Sequence, residues 1–350
     1  MEPELQGRSE LLVSDLDVAA GHVGMGWDSL RGKSIFFTGG SGFVGKWMLA
    51  TLSRARQTHE LDCRVTLLSR TPENFARKWS NFFDASWMTL CKGDVRDFAF
   101  PPGIHEVVIH AAADVAQQSD PQKLLDSCRD GTARVLDFAA RSQTERFHLV
   151  SSGAVYGRQS FDVLTMSESQ PWTTALLGET DAYTEGKRQA ELLVKAAIHQ
   201  QGLSATISRC FATVGPLLPL DGRFAIGNFI RDVLCGRDIQ LSSDGTSVRS
   251  YLYAADLAGW LWSIILRGNP GAIYNVGSSE EISIRELAVR VTAVLGSNVS
   301  VHVGDSAAPS QRFVPNVSRI GRELGLLSTV DLDEAIRKTA WHYYLPGVKR

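Results

Sequence analysis

Tyr183 and Lys187 stand four residues apart in the run Tyr183-Thr184-Glu185-Gly186-Lys187. On a helix that spacing puts the phenol and the ammonium on one face. A phenol is a poor base at neutral pH, and a neighbouring cation favours its phenolate form. A phenolate so held can take a proton from a substrate hydroxyl while hydride leaves the carbon beneath it. The pattern Y-x-x-x-K is common on its own. It gains weight from Ser151-Ser152-Gly153-Ala154-Val155-Tyr156-Gly157 upstream. An apolar run, Phe147 to Ser151, precedes Ser152 and places it at a strand end. There its hydroxyl can hydrogen-bond the same substrate oxygen. A serine-rich turn would be the plainer reading of these residues alone.

Hydride transfer needs an acceptor. The segment Thr38-Gly39-Gly40-Ser41-Gly42-Phe43-Val44-Gly45 supplies a place for one. Glycines at 39, 42 and 45 follow the short apolar run Lys33 to Thr38, and helical spacing begins after them. The first glycine permits a tight turn and the second a close approach to a pyrophosphate. The third lets the helix pack on the sheet. A helix starting near Ser41, with Phe43 and Val44 in its first turn, would aim unpaired N–H groups at that pyrophosphate. A nicotinamide dinucleotide is therefore expected. The second strand ends Leu68-Ser69-Arg70, with no carboxylate for a ribose 2′-hydroxyl. Ser69 and Arg70 would accept a 2′-phosphate and lean the choice from NAD towards NADP. Asp94, in Gly93-Asp94-Val95, is a candidate acceptor for the adenine amino group, or an ordinary turn residue.

These groups need a scaffold. Short apolar runs at 33–38, 64–69, 87–91, 107–110, 147–151 and 204–210 alternate with helical patterns at 46–56, 121–142 and 181–201. This alternation predicts βαβ units and a Rossmann-type, doubly wound parallel sheet. Residues 31–214 are read as the dinucleotide-binding domain, with a return near 248–276. Residues 215–247 and 277–350 are read as a smaller substrate-binding lobe. Residues 1–30 are read as a polar N-terminal extension with an amphipathic piece around 11–20.

Composition excludes several classes. Formal net charge is -2, which offers no basic surface for nucleic acid. Cys63, Cys91, Cys128, Cys210 and Cys235 form no C-x-x-C pair and read as thiols in a reducing cytoplasm. No His/Cys cluster suggests a metal. Apolar runs fall short of the ~18 residues that a membrane span needs, and no signal peptide opens the chain.

The order of motifs resembles the extended short-chain dehydrogenase/reductase family, in its nucleotide-sugar epimerase/dehydratase branch. The likeness spans roughly residues 33–325. It rests on TGGSGFVG, GDV at 93–95, HAAA at 110–113, SSGAVYG, YTEGK, RCFATVGP at 209–216, GTSVRSYLYAADLA at 245–258 and YNVG at 274–277. The resemblance implies Ser152, Tyr183 and Lys187 as the catalytic set. It implies Ala111, Ala112, Ala113, Val95 and Ser151 beside the cofactor, and Arg249 and Arg312 facing substrate phosphates. Gly153, Phe224 and Asn228 are further candidates for the sugar pocket, although packing or capping would also explain Phe224 and Asn228. A homodimer built from the two long helices is implied as well.

Departures from the pattern narrow the chemistry. The family's 4,6-dehydratases carry Thr-Asp-Glu where this chain has Ser152-Gly153-Ala154. The two carboxylates remove water across C5 and C6, and Gly153 and Ala154 transfer no proton. Ala212 replaces an Asn of the substrate site, and Cys128 stands near another. The expectation is a nucleotide-sugar 4-epimerase working through a transient 4-keto sugar. A 4-ketoreductase is the alternative. A dehydratase drawing on Glu179 or Asp181, and a non-catalytic cofactor sensor, stand further back.

Overall fold

The computed structural model describes residues 11–79, 85–113, 120–173, 181–222, 224–305 and 310–343. The chain opens with helix α1 (Val13–Gly21) and a 3-10 segment, Gly24–Leu30. It continues through β1 (Ser34–Thr38), α2 (Phe43–Thr58), β2 (Arg64–Ser69), α3 (Pro72–Trp79), β3 (Met88–Lys92) and β4 (Val107–His110). Then come α4 (Pro121–Arg141), β5 (Arg146–Ser152), α5 (Asp181–Gln201), β6 (Ala205–Cys210) and β7 (Thr213–Val214). The smaller elements follow: α6 (Ala225–Leu234), β8 (Ile239–Gln240), β9 (Val248–Ser250), β10 (Leu252–Tyr253), α7 (Ala254–Arg267) and β11 (Ile273–Val276). The chain ends through β12 (Glu281–Ser283), α8 (Ile284–Val294), β13 (Val301–His302), β14 (Arg312–Phe313), α9 (Ser318–Leu324) and α10 (Leu332–Tyr343).

Seven strands form one parallel sheet in the order β11-β6-β5-β4-β1-β2-β3. Strand order reverses between β1 and β4, which opens a crevice at their carboxyl ends. Both faces of the sheet are covered, so its strands read as continuous apolar runs. In β1, Ile35 and Phe37 enter the core shared with α2 and α7. Phe36 points the other way, towards Phe98 and Phe138 under α4, with ring centroids 5.2 and 4.4 Å away. Helix α4 starts where Asp120 accepts from the Gln122 amide at 2.9 Å and Pro121 fills the first turn.

Three expectations change. Helix α2 begins at Phe43, with Gly42 as its N-cap, rather than near Ser41. The run 248–253 does not return to the main sheet as one strand. It splits into β9, which pairs with β12 and β14, and β10, which pairs with β7. Only β11 rejoins the main sheet. Residues 11–30, read as a polar extension, pack against the fold. Every residue of α7 from Ala254 to Leu266 is buried, so its outer face needs cover. Helix α1 and Trp27 provide it. Trp27 is fully buried, 5.3 Å from Trp262 between ring centroids. Gly259 allows the approach, because a Cβ there would lie 2.5 Å from the Ala19 carbonyl oxygen.

Candidate active site

The crevice at the β1/β4 switch carries the glycine turn. Gly39 has φ +77°, a conformation that side chains resist, and a Cβ on it would sit 2.5 Å from the Ala111 carbonyl carbon. Gly45 packs the first turn of α2 onto the loop, where a Cβ would meet the Gly39 oxygen at 2.4 Å. The loop is thus pressed against Ala111 and Ala112, and the N–H groups of Phe43 and Val44 open a helix whose N-cap has no side-chain partner. Backbone amides in a cradle without side chains suit a dinucleotide pyrophosphate. Ala111 and Ala112 are fixed in turn by Thr38. Its carbonyl accepts from the Ala111 amide at 3.1 Å, and its hydroxyl oxygen accepts from Ala112 at 3.3 Å. Ala113, half-buried, closes the described part of this loop.

A buried histidine stands behind that turn. His110 bonds Thr38 Oγ1 at 2.8 Å through Nδ1 and Thr132 Oγ1 at 3.1 Å through Nε2. Burial, with the Lys187 charge nearby, pushes its pKa down to about 3, so it stays neutral. It pins β4 to β1 and to α4 without adding charge.

At the end of β2, Ser69 is buried and its Oγ accepts from the Thr71 amide at 3.2 Å, while Arg70 is exposed. Asp94 lies at the adjacent strand end. Arg96 clasps it through Nε at 2.8 Å and Nη2 at 3.2 Å, and these bonds hold its carboxyl below the usual range. Val95 turns inward, against Gly131 of α4.

The catalytic candidates meet at the end of β5. Lys187 is buried, and its Nζ donates to the Val150 carbonyl at 2.9 Å. The same Nζ lies 5.9 Å from the centroid of the Tyr183 ring. Their i, i+4 spacing on α5 therefore puts both on the face that meets β5. Tyr183 itself is half-buried. Ser152, two residues beyond Val150, is half-buried and its Oγ accepts from the Ala154 amide at 3.1 Å. Its hydroxyl proton is spoken for by none of the described contacts. Glu179 lies outside the described residues, as does the Asp181 side chain.

A charged lock fixes this arrangement from behind. Ser151 Oγ donates to Glu191 Oε1 at 2.8 Å, and Arg209 grips both Glu191 oxygens at 3.0 and 2.7 Å. Glu191 and Arg209 are essentially solvent-free. Burial works against the Arg209 charge, but the Glu191 bonds outweigh it and raise its pKa above the ordinary value. Sequence reading named Ser151 and missed Glu191 and Arg209. The signal was present: Glu191 follows Lys187 by one further helical step of four.

The candidate substrate groups divide. Gly153 is buried beneath two aromatic rings. A Cβ on it would lie 2.8 Å from Cζ of both Phe211 and Phe313. Arg249, on the same face of the small sheet as Phe313, lies 5.8 Å from its ring centroid; among the described contacts it donates to the carbonyls of Val248 at 2.9 Å and Gln311 at 3.1 Å. Burial holds its pKa below the ordinary arginine value, and no described carboxylate pairs with it. Such a cation favours an incoming anion. Arg312 is one position out of step. It aligns with Val248, whereas Arg249 aligns with Phe313, so the two arginines leave opposite faces of the small sheet. Arg312 pairs with Glu281 and stacks 5.0 Å from Phe161. Asn228 spends its amide on Gly222, accepting from N at 3.1 Å and donating to O at 2.9 Å. It closes that loop, while Phe224 caps the start of α6 and is exposed.

Other grooves lie elsewhere. One of about 420 Å³, lined by Glu145, Arg146, Ser204 and residues 266–270, is at the amino-terminal end of the sheet, opposite the strand ends that carry these side chains. No helix among the described residues is long and apolar enough to cross a membrane.

The fold and the site together define a dinucleotide-binding enzyme of the extended short-chain dehydrogenase/reductase type. The family model described as NAD dependent epimerase/dehydratase matches residues 35–277, and the chain belongs to that family. It is 28% identical to UDP-glucuronic acid decarboxylase 1 of Xenopus tropicalis over 89% of this chain and 72% of that protein. It is 27% identical to dTDP-glucose 4,6-dehydratase of an Actinoplanes species over 88% of this chain and 97% of that one. Its fold matches UDP-N-acetylglucosamine 4-epimerase of Methanobrevibacter ruminantium with a TM-score of 0.77 at 20% identity, covering 89% and 98% of the two chains.

Proposed function

We propose that this protein is a nucleotide-sugar 4-epimerase. The observation that carries the reading is Gly153. The residue after Ser152 has no side chain and no room for one, since aromatic rings occupy the space. Ala154 follows it. A dehydratase needs an acid and a base at this place, and neither residue provides one. What remains is a group that moves one proton at one hydroxyl.

Bound at the glycine cradle, NAD supplies the acceptor and donor of hydride. Tyr183 takes the proton of the sugar 4-hydroxyl and returns it later. Ser152 donates to the same oxygen and holds it as a carbonyl in the 4-keto sugar. Lys187, anchored on Val150, keeps a positive charge beside the phenolate. Arg249 holds the diphosphate. A pocket that let the 4-keto sugar turn before Tyr183 gave its proton back would release the 4-epimer, with no net change of redox state.

A 4-ketoreductase uses the same residues once, in the reducing direction. Arg70 and Arg96 at the ends of β2 and β3 favour that reading, because they suit the 2′-phosphate of NADP. We further propose a homodimer through α4 and α5; a monomer by sedimentation at micromolar concentration would refute it.

Native mass spectrometry of the purified protein separates the two activities. A stoichiometric oxidised dinucleotide, with interconversion of UDP-glucose and UDP-galactose or their dTDP counterparts, supports the epimerase. An empty protein that binds added NADPH reversibly and reduces a 4-keto sugar overturns it in favour of the reductase.

A further inference from the structure

Consecutive residues of α5 grip the chain on either side of Ser152. Lys187 donates to the Val150 carbonyl at 2.9 Å, just before it. Arg188 donates through Nε to the Val155 carbonyl at 2.8 Å, just after it. Val155 belongs to the 3-10 turn Gly153–Tyr156, whose N-cap is Ser152. The Ala154 amide of that turn donates to Ser152 Oγ at 3.1 Å. A short chain of bonds therefore runs from the Arg188 guanidinium, through the turn, to the Ser152 hydroxyl.

Arg188 is buried, and its guanidinium reaches two further places. Nη2 donates to the Thr173 carbonyl at 2.9 Å, and Nη1 pairs with Glu185 of its own helix. The Thr173 amide returns to the turn, donating to the Tyr156 carbonyl at 3.1 Å. The packing is tight here. A Cβ on Gly157 would lie 2.4 Å from Thr173 Oγ1 and 2.8 Å from Arg188 Nη2. A lysine carries the same charge but has no planar fork to hold these acceptors together.

We propose that Arg188 is a positioning residue: it fixes the turn 153–156 against α5 and so sets the Ser152 hydroxyl relative to Tyr183. The inference rests on the proposed meeting of Ser152 and Tyr183 at one substrate oxygen. Arg188 acts on that pair through the backbone of the turn and through its own helix, which carries Tyr183. Two groups that must converge on one oxygen tolerate little displacement, and about 1 Å of misplacement costs on the order of 10²-fold in rate.

The test is Arg188→Lys in the dinucleotide-loaded protein, alone and combined with Ser152→Ala. Turnover of UDP-glucose or dTDP-glucose and hydrogen exchange of the backbone amides are both measured. In Arg188→Lys, kcat should fall by about 10²-fold while KM and dinucleotide retention stay unchanged. Amides 153–157 should exchange faster, and those of β1 and α2 should keep their protection. The double variant should be no slower than the slower single variant, because Arg188 works through Ser152. An unaltered kcat overturns the proposal. So do losses that multiply in the double variant, or a rise in KM without a fall in kcat. Should Arg188→Lys fail to fold, the unaltered protein decides. Protection of the Ala154 and Gly157 amides equal to that of β5 supports the clamp, and exchange as fast as in the exposed loops overturns it. If the unaltered protein turns over no nucleotide sugar, the reading of Ser152 and Tyr183 fails, and hydrogen exchange still judges whether Arg188 holds the turn.

Discussion

At the residue scale a half-buried phenol, Tyr183, contrasts with two fully buried histidines, His110 and His148. Tyr183→Phe removes the base and leaves the dinucleotide cradle untouched. Turnover should fall by about 10³-fold or more, within the range for losing a positioned general base, while dinucleotide still co-purifies. Arg249→Ala should raise KM for the nucleotide sugar far more than Arg312→Ala, because Arg249 has no described carboxylate partner and Arg312 already has Glu281. His110 and His148 are buried, and burial pushes each pKa down from 6.5 to about 3. Between those two values the unfolded chain binds protons that the folded chain refuses. Stability from these residues is therefore full above pH 6.5 and drains away as pH falls towards 3. Among the described contacts, His148 bonds the Thr206 and Ser208 hydroxyls at 2.9 and 3.1 Å. His148→Gln should flatten the acid limb by up to about 1.4 kcal/mol per pH unit, one proton's worth. Urea unfolding at pH 4 to 7 measures it, and an unchanged slope would refute the assignment.

At the scale of elements, α5 carries both Tyr183 and Lys187, and its position against β5 and β6 decides where the phenol lies. The Ser151–Glu191–Arg209 lock sets that position in a place without water. Glu191→Gln keeps the shape and strips the charge, leaving Arg209 buried without a counterion. The expected loss is about 3–5 kcal/mol of stability, as for any broken buried pair. Chemical denaturation reads it, and a loss below 1 kcal/mol would show that water or relaxation satisfies Arg209. Pattern alone made α5 and the face that carries Tyr183 and Lys187 legible, because i, i+4 geometry is local. The lock was not, because its arginine sits on another strand, 18 residues further on.

At the scale of the molecule, residues 11–30 act as an outer layer. Helix α7 is buried on all sides, and α1 with Trp27 covers one of them. Asp15, buried, accepts from the Tyr253 hydroxyl at 2.6 Å and pairs with Lys338 of α10. His22 bonds Asp256 at 2.7 Å, and Asp256 also accepts from Thr329. The segment thus ties α7 to the C-terminal helix. Trp27→Ala should cost about 3–5 kcal/mol, the usual range for emptying a large core site, and lower Tm accordingly. A change within a degree or two would mean that α7 stays covered without it.

Local pattern made legible the parallel α/β plan, the glycine turn after β1, and Ser152, Tyr183 and Lys187 as neighbours at the end of β5. Each of these depends on residues close together along the chain: apolar runs of strand length, glycines spaced along a turn, and side chains one helical step apart. Long-range packing settles three other things. It packed residues 11–30 over α7, burying Ala19, Val23, Trp27 and Leu30, because the face they cover lies more than two hundred positions away. It set Arg249 and Arg312 on opposite faces, because a one-residue step in strand register reverses the direction of a side chain. And it roofed Gly153 with Phe211 and Phe313, whose neighbours are fixed by three separate elements meeting at one strand end and by no spacing that a linear pattern contains.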